Sequence, residues 1–382
     1  MSKAVEEYLA LKIEQRKEKD AFRLFRINED AVDFCSNDYL GLAKDSDIAE
    51  QTHKDIYNYL RSKNGSTGAR TITGTSKEIL ALEAQLASFH YAEAALMYNS
   101  GYTANLGLFS ALPYRGDTVL YDELIHASIR DGLNMSKAKS YSFKHNDLKD
   151  LEKRLQRAEG RIYVAVESVY SMDGDQAPLK QLAALCEKYQ AALIVDEAHS
   201  NGIFGKQGRG LVSEIGIEKK VFARVMTFGK ALGNHGAVVI GSQDLKDFLI
   251  NYSRSFIYTT APSPHQVFSV KNAYDKLSMS KDKILKLSKL VVLFKEKVKE
   301  FESLEVIPSE SPIQCVLIAG NSKVKAVCRQ VQEDGFDIRP IVAPTVPEGK
   351  ERIRICIHSF NTEQEIIGLL DSINQHLENY GE

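Results

Sequence analysis

The chain has 382 residues, 49 basic and 51 acidic, for a formal charge of −2, which argues against a phosphate-backbone binder with its excess of Lys and Arg. With 43% hydrophobic and 26% charged residues the composition is that of an ordinary soluble globular protein of two or three compact units, neither disordered nor fibrous. No apolar run approaches a membrane span, the N-terminus has acids where a signal peptide needs apolar residues, and the five dispersed cysteines lack any CxxC spacing, so a cytoplasmic enzyme without a structural metal is expected.

Roughly the first 30 residues read as an amphipathic helix with charge on most faces and with Phe22, Leu24 and Phe25 near its end. Short apolar runs then alternate with helical patterns, which predicts an α/β fold with a parallel sheet packed by helices. Thr75-Ser-Lys-Glu78 fits a capping box for a helix on which Ile79, Leu82, Leu86 and Phe89 share a face. Strands are expected at Ala94–Tyr98 and Thr118–Tyr121, followed by helices from about Thr103 and near His126. Asn146 is expected to cap a segment carrying Leu148, Leu151 and Leu155. The strand Ile162–Glu167 leads to a helix starting at Pro178, where proline suits the first turn, and the strand Ala192–Val195 runs straight into Asp196. Strands Val221–Phe228 and Ala237–Ile240 flank Gly229-Lys-Ala-Leu-Gly-Asn-His-Gly236. Beyond Pro262 and Pro264 come a Lys-rich helical stretch (Asp282–Phe301), a helix near Val324 and strands at Gln314–Ala319 and Arg352–His358. The expected division is an N-terminal arm over 1–44, a large domain over 45–270 and a smaller α+β domain over 271–382.

Val195-Asp-Glu-Ala-His199 spells the acidic magnesium box of a nucleic-acid helicase, and a magnesium-dependent NTPase using Asp196-Glu197-Ala198-His199 is the reading from a different class. It lacks its phosphate loop: Ala231 follows Gly229-Lys230, and position 224 is Arg. The run Gly202–Gly210 follows a strand but never spells GxGxxG, which sets aside a nicotinamide site. What holds together is an acid at a strand end, a lysine in a Gly-bounded loop, a Ser-Gly turn entering a helix and a further histidine. Pyridoxal phosphate (PLP) needs those parts: a lysine for its Schiff base, a carboxylate that keeps the pyridine nitrogen protonated, and amide donors for the phosphate. Lys230 and Asp196 are the pair, Ser100-Gly101-Tyr102 the phosphate turn, and Thr227 an added hydroxyl. Singly, Lys230 reads as a surface lysine, Ser100-Gly101 as a turn and His126 as structural, and His199 divides evenly between structure and site. Asp196 stands above its bland reading as a helix cap, because ligands collect at such strand ends. The joint occurrence in this chain order favours the cofactor.

Eight segments extend the pattern: Ser36-Asn-Asp-Tyr-Leu-Gly-Leu42, Gly65-Ser-Thr-Gly-Ala-Arg70, Asn99-Ser-Gly-Tyr102, Asp122-Glu-Leu-Ile-His-Ala-Ser128, Glu167-Ser-Val-Tyr-Ser-Met-Asp-Gly174, Asp196-Glu-Ala-His199, Thr227-Phe-Gly-Lys230 and Pro344-Thr-Val-Pro347. On these the sequence resembles the α-oxoamine synthases, a branch of the fold-type-I PLP enzymes, over nearly its whole length. The resemblance implies a large domain with a mainly parallel seven-stranded sheet flanked by helices, and a smaller α+β C-terminal domain. It implies that Lys230 forms the Schiff base, His126 stacks on the pyridine ring and Asp196 pairs with its nitrogen. Ser171 and His199 would lie beside the phenolic oxygen, and Gly101, Tyr102 and Thr227 by the phosphate. Thr259 and Thr260 would reach the phosphate of the neighbouring subunit of a homodimer.

The amino-acid carboxylate calls for a guanidinium. Arg352 and Arg354 compete, on the same face of one strand; the family pattern aligns with Arg354, and Arg352 is the fallback. Asn37 would assist at that carboxylate, and Arg23 would lie toward the acyl-donor channel. Ile79 stands where members often carry a histidine, a departure that bears on the acyl donor more than on the cofactor. The implied reaction is decarboxylative condensation of an amino acid with an acyl thioester of CoA or acyl carrier protein. Alanine with a pimeloyl thioester is the nearest match, and glycine with acetyl-CoA is the runner-up. Glycine with succinyl-CoA and serine with a long acyl thioester are the other pairings.

Overall fold

Strands built from unbroken apolar runs need cover on both faces, and the main sheet of this chain has it. In the computed structural model, which describes residues 2–19, 21–23, 25, 30–59 and 64–380, that sheet lies within a unit formed by residues 37–171 and 175–286. Its strands are β1 (Ala94–Tyr98), β2 (Thr118–Asp122), β3 (Lys139–Phe143), β4 (Ile162–Glu167), β5 (Ala192–Asp196), β6 (Ala223–Thr227) and β7 (Ala237–Gly241), in the order β1-β7-β6-β5-β4-β2-β3. β7 is antiparallel to both β1 and β6, and the other pairings are parallel. The sheet is therefore mixed, with one strand reversed.

Alternate side chains of these strands enter two cores. Val119, Tyr163, Ala165 and Ile194 pack with Leu108, Phe109, Ile129 and Leu133 from the helices Gly101–Ala111 and Ala127–Met135. Leu120, Val164, Leu193 and Val195 pack on the opposite face with Leu151 of Leu148–Leu155, and with Leu182 and Cys186 of Leu179–Lys188. A fully buried aliphatic side chain contributes about 1.5–3 kcal/mol, so two such cores fix the strand ends as a rigid platform.

The other unit comprises residues 1–36, 172–174 and 287–382 as far as they are described. Its sheet is antiparallel, formed by β8 (Val306–Ile307), β9 (Ile313–Leu317), β10 (Arg339–Ile341) and β11 (Arg352–Cys356) in the order β10-β11-β9-β8. Helices Asn321–Glu333 and Glu363–Glu378 belong to it. A short parallel pairing joins Val32–Asp33 to Phe336–Asp337. No helix among the described residues is long and apolar enough to cross a membrane.

Several local expectations are corrected. Ser76, not Thr75, caps the helix Lys77–Phe89 by accepting from the Ile79 amide, while the Thr75 hydroxyl donates to the Arg70 carbonyl. Asp147, not Asn146, caps Leu148–Leu155; Asn146 takes φ +54° and its amide donates to Asp175. The N-terminal helix spans only Lys3–Glu18 and buries none of its side chains, so it is not amphipathic in the structural sense. Phe22 and Phe25 lie beyond it and are exposed, and Leu24 lies outside the described residues. β3 escaped notice because Lys-Ser-Tyr-Ser-Phe is an edge strand with polar residues on its outer face.

Candidate active site

The C-terminal ends of parallel strands leave backbone and side-chain donors facing a common crevice. Here Glu167 ends β4, Asp196 ends β5 and Thr227 ends β6, and the three line one cavity of about 240 Å³. Asn37, Ser100, Gly101, Tyr102, Asn105, His126, His199 and Lys230 line it too. Residues separated by more than 190 positions in sequence thus meet in a single unit.

Each is held by local structure. The loop after β6 turns at Gly233, where φ is +57° and any Cβ would meet the Ala43 backbone nitrogen at 2.0 Å; only glycine fits there. The turn closes with the Gly233 amide donating to the Lys230 carbonyl at 2.7 Å, and Lys230 Nζ donates to Thr227 Oγ1 at 3.4 Å. Ser100 caps the helix Gly101–Ala111 in a reciprocal pair with Thr103, which takes up the amides of both. The amides of Gly101 and Tyr102 remain for a ligand, at the end of the helix where the dipole favours an anion. A Cβ on Gly101 would meet Thr227 Cγ2 at 2.5 Å, so glycine is what lets the Thr227 hydroxyl and those amides share one corner.

Asp196 is buried, and both its oxygens are engaged: Oδ2 accepts from Asn105 Nδ2 at 2.7 Å and Oδ1 from the Ala198 amide at 2.9 Å. Asn105 also donates to Ser128 Oγ at 3.1 Å, and Ser128 Oγ lies 2.8 Å from His126 Nδ1, linking the acid to the imidazole. Burial, then the Lys230 ammonium, push His126 below the usual histidine range, against the opposing pull of Asp196. That direction favours the uncharged imidazole, which would meet a protonated pyridine without like-charge repulsion. His199 is buried, with Nδ1 2.8 Å from Tyr39 Oη, which in turn donates to Asn37 Oδ1 at 3.1 Å.

This donor set suits PLP: an amine, a buried carboxylate for a ring N–H, a neutral flat imidazole and an anion corner. Among the described residues the buried oxygens Asn105 Oδ1 and Glu167 Oε1 have no partner, and a ligand in the cavity would supply polar contacts that the protein leaves open. The remaining expected residues are not among those lining this cavity. Ser171 is half-buried and off the cavity wall. Thr259 Oγ1 and the Thr260 carbonyl both accept from Asn99 Nδ2, at 3.1 and 2.9 Å, one residue ahead of the phosphate turn. Arg352 and Arg354 lie on β11 in the other unit. Arg352 is buried in an ion pair with Asp173, while Arg354 is partly exposed and donates to Cys356 Sγ at 3.0 Å. Arg23 is exposed on a separate cavity of that unit, with Arg329 and Arg339.

The family profile for aminotransferase class I and II matches residues 29–373. The chain belongs to that family. An 8-amino-7-oxononanoate synthase of Emericella nidulans is 39% identical over 373 residues, covering 90% of this chain and 88% of the relative. Among solved structures, the serine palmitoyltransferase of S. paucimobilis with bound PLP–myriocin aldimine superposes with a TM-score of 0.89 at 26% identity, over 98% of both chains. The 8-amino-7-oxononanoate synthase of Francisella tularensis gives 0.80 at 28% identity, over 92% of this chain and 99% of that one. The chain is accordingly an enzyme of the PLP-dependent α-oxoamine synthase type, with the fold-type-I architecture expected for it.

The magnesium-box reading fails on Glu197. That side chain is fully buried, paired with Arg224 at 2.6 Å and accepting from the Val212 amide at 3.0 Å, so it has no face left for a hydrated cation. Four cavity residues or supports escaped the sequence reading of roles: Asn105, Ser128, Tyr39 and Glu167. Asn105 is a polar residue one helical turn beyond Gly101 on a helix otherwise buried through apolar groups. Glu167 carries the same mark as Asp196, an acid closing an apolar strand.

Proposed function

We propose that this chain is an 8-amino-7-oxononanoate synthase, condensing L-alanine with a pimeloyl thioester, of CoA or acyl carrier protein, to give 8-amino-7-oxononanoate in biotin biosynthesis. The observation that carries the reading is the meeting of Lys230, Asp196 and His126 in one cavity in a chain 39% identical to a relative of that name. PLP, when bound, supplies the electron sink that makes the amino-acid Cα acidic.

In this reading the Gly101 and Tyr102 amides and the Thr227 hydroxyl hold the phosphate, Asp196 holds the charge on the ring nitrogen, and neutral His126 covers the ring face. Ser171 and His199 lie beside the phenolic oxygen. Thr259 and Thr260 reach the phosphate of the second subunit of a homodimer. Arg354, with Asn37, binds the amino-acid carboxylate; the commitment of Arg352 to Asp173 supports this choice. Arg23 lies toward the acyl donor. The Lys230 amine takes the proton from Cα. The new C–C bond joins Cα to the thioester carbonyl, the thiol leaves, carbon dioxide departs, and a proton returns to Cα.

The test is a matrix of amino acids against acyl thioesters, scored by thiol release. Alanine-dependent release with pimeloyl donors alone is expected. Release confined to glycine with acetyl-CoA would make the chain a glycine C-acetyltransferase, and release confined to serine with a long acyl donor would make it a sphingolipid-type enzyme.

A further inference from the structure

Glu167 lines the cavity but has no part in the mechanism above. It is the register partner of Asp196 across the β4–β5 pairing, so two carboxyl groups stand side by side at the cavity floor. Its side chain is buried, the His126 backbone amide lies close enough to favour its charged form, and among the described residues Oε1 has no partner. A buried carboxyl is costly for a protein to retain, and an apolar side chain would fill the same space at the end of a Val-rich strand. Something other than packing keeps an acid there.

Resting on the reading that Lys230 anchors PLP, we infer that Glu167 is a positioning residue of this site: it fixes His126 through the backbone amide and presents Oε1 to the group bound beside Asp196. Two observations support it independently of the family. The same residue touches the element that aims the imidazole and stands next to the only other acid among the residues lining the cavity. Its protonation state agrees with the role. Burial, then the adjacent Asp196 charge, drive its pKa well above the carboxylate range, with Asp122 acting in the same direction and Lys230 against it. The direction of that shift favours the uncharged acid at Glu167. As an acid it can donate one hydrogen bond as well as accept.

The PLP-loaded protein tests this by its visible absorbance band. Glu167→Gln keeps the shape, the neutrality and a donor. Glu167→Leu removes both polar atoms. The Gln variant is expected to reproduce the wild-type pH titration of the band. The Leu variant is expected to weaken PLP binding at least tenfold, measured by equilibrium dialysis, and to shift the band. A shifted titration in Glu167→Gln would overturn the inference, because it would mean that a carboxylate charge had been removed; so would unchanged PLP affinity in Glu167→Leu. The Gln variant decides the matter even if the Leu variant does not fold. Loss of the inference leaves the Lys230 band in wild type, whereas failure of the underlying reading would leave wild type without any lysine-dependent band.

Discussion

Asn105 donates to Asp196 at 2.7 Å from one turn along the helix whose first amides face the anion corner. In the proposed reading one short helix would address both ends of PLP: its N-terminus the phosphate, and its second turn the acid at the ring. A hydrogen bond to a charged group is worth roughly 1.5–3 kcal/mol. Asn105→Leu is thus expected to weaken PLP binding by ten-fold or more in a fluorescence titration, and unchanged affinity would break the link between this helix and Asp196.

Gly101→Ala tests the anion corner. The added methyl would meet Thr227 Cγ2 at 2.5 Å and displace its hydroxyl from the helix N-terminus. The affinity for PLP should fall by about an order of magnitude, the cost of one charge-assisted hydrogen bond, while that for dephosphorylated pyridoxal stays the same. Equal losses for both ligands would place the phosphate elsewhere.

The two arginines of β11 separate by different readouts. Arg354→Ala should raise the KM for the amino acid at least tenfold, since each charge-assisted bond contributes roughly 1.5–3 kcal/mol, with little change in Tm. Arg352→Ala removes the part-buried ion pair with Asp173 and should lower stability by roughly 1.5–3 kcal/mol, the contribution of a charge-assisted hydrogen bond. The opposite pattern, KM rising with Arg352→Ala and not with Arg354→Ala, would exchange their roles.

His145 holds the end of β2 through both ring nitrogens, 2.9 Å from Asp122 and 2.7 Å from Asp175. Burial opposes its charge, but the two carboxylates outweigh it and raise its pKa to about 10. The folded pKa lies above the unfolded value of about 6.5. The stabilisation is therefore complete below about pH 6.5, declines as pH rises, and is gone above about pH 10. The Tm deficit of His145→Gln relative to wild type should be largest at or below pH 6.5 and close toward pH 10; a deficit independent of pH would show that the imidazolium charge contributes nothing.

Strands covered on both faces were legible because such burial demands continuous apolar runs, and Ile162–Glu167 and the buried edge strand Ala94–Tyr98 coincide with their observed bounds. β3 was not, because this edge strand is largely exposed and so tolerates Lys139, Ser140 and Ser142. The caps at Ser76 and Asp147 were displaced by one residue each, since adjacent polar residues offer the same side-chain oxygen and only backbone angles choose between them. Within the site, Asp196 and Lys230 stand out as residues at a strand end and a glycine-bounded turn. Asn105 does not, because its meaning depends on the acid it meets across a helix–sheet contact; Glu167 closes an apolar strand as Asp196 does, but its role depends on the acid across the strand pairing.

The central claim is that Lys230 carries the cofactor in this cavity, and covalent trapping tests it most directly. Protein incubated with PLP is reduced with borohydride, digested and mapped by mass spectrometry. The expected result is the pyridoxyl phosphate mass on the peptide containing Lys230, together with loss of the visible band and no trapping in Lys230→Ala. The added mass on a different lysine, or on none, would contradict the assignment.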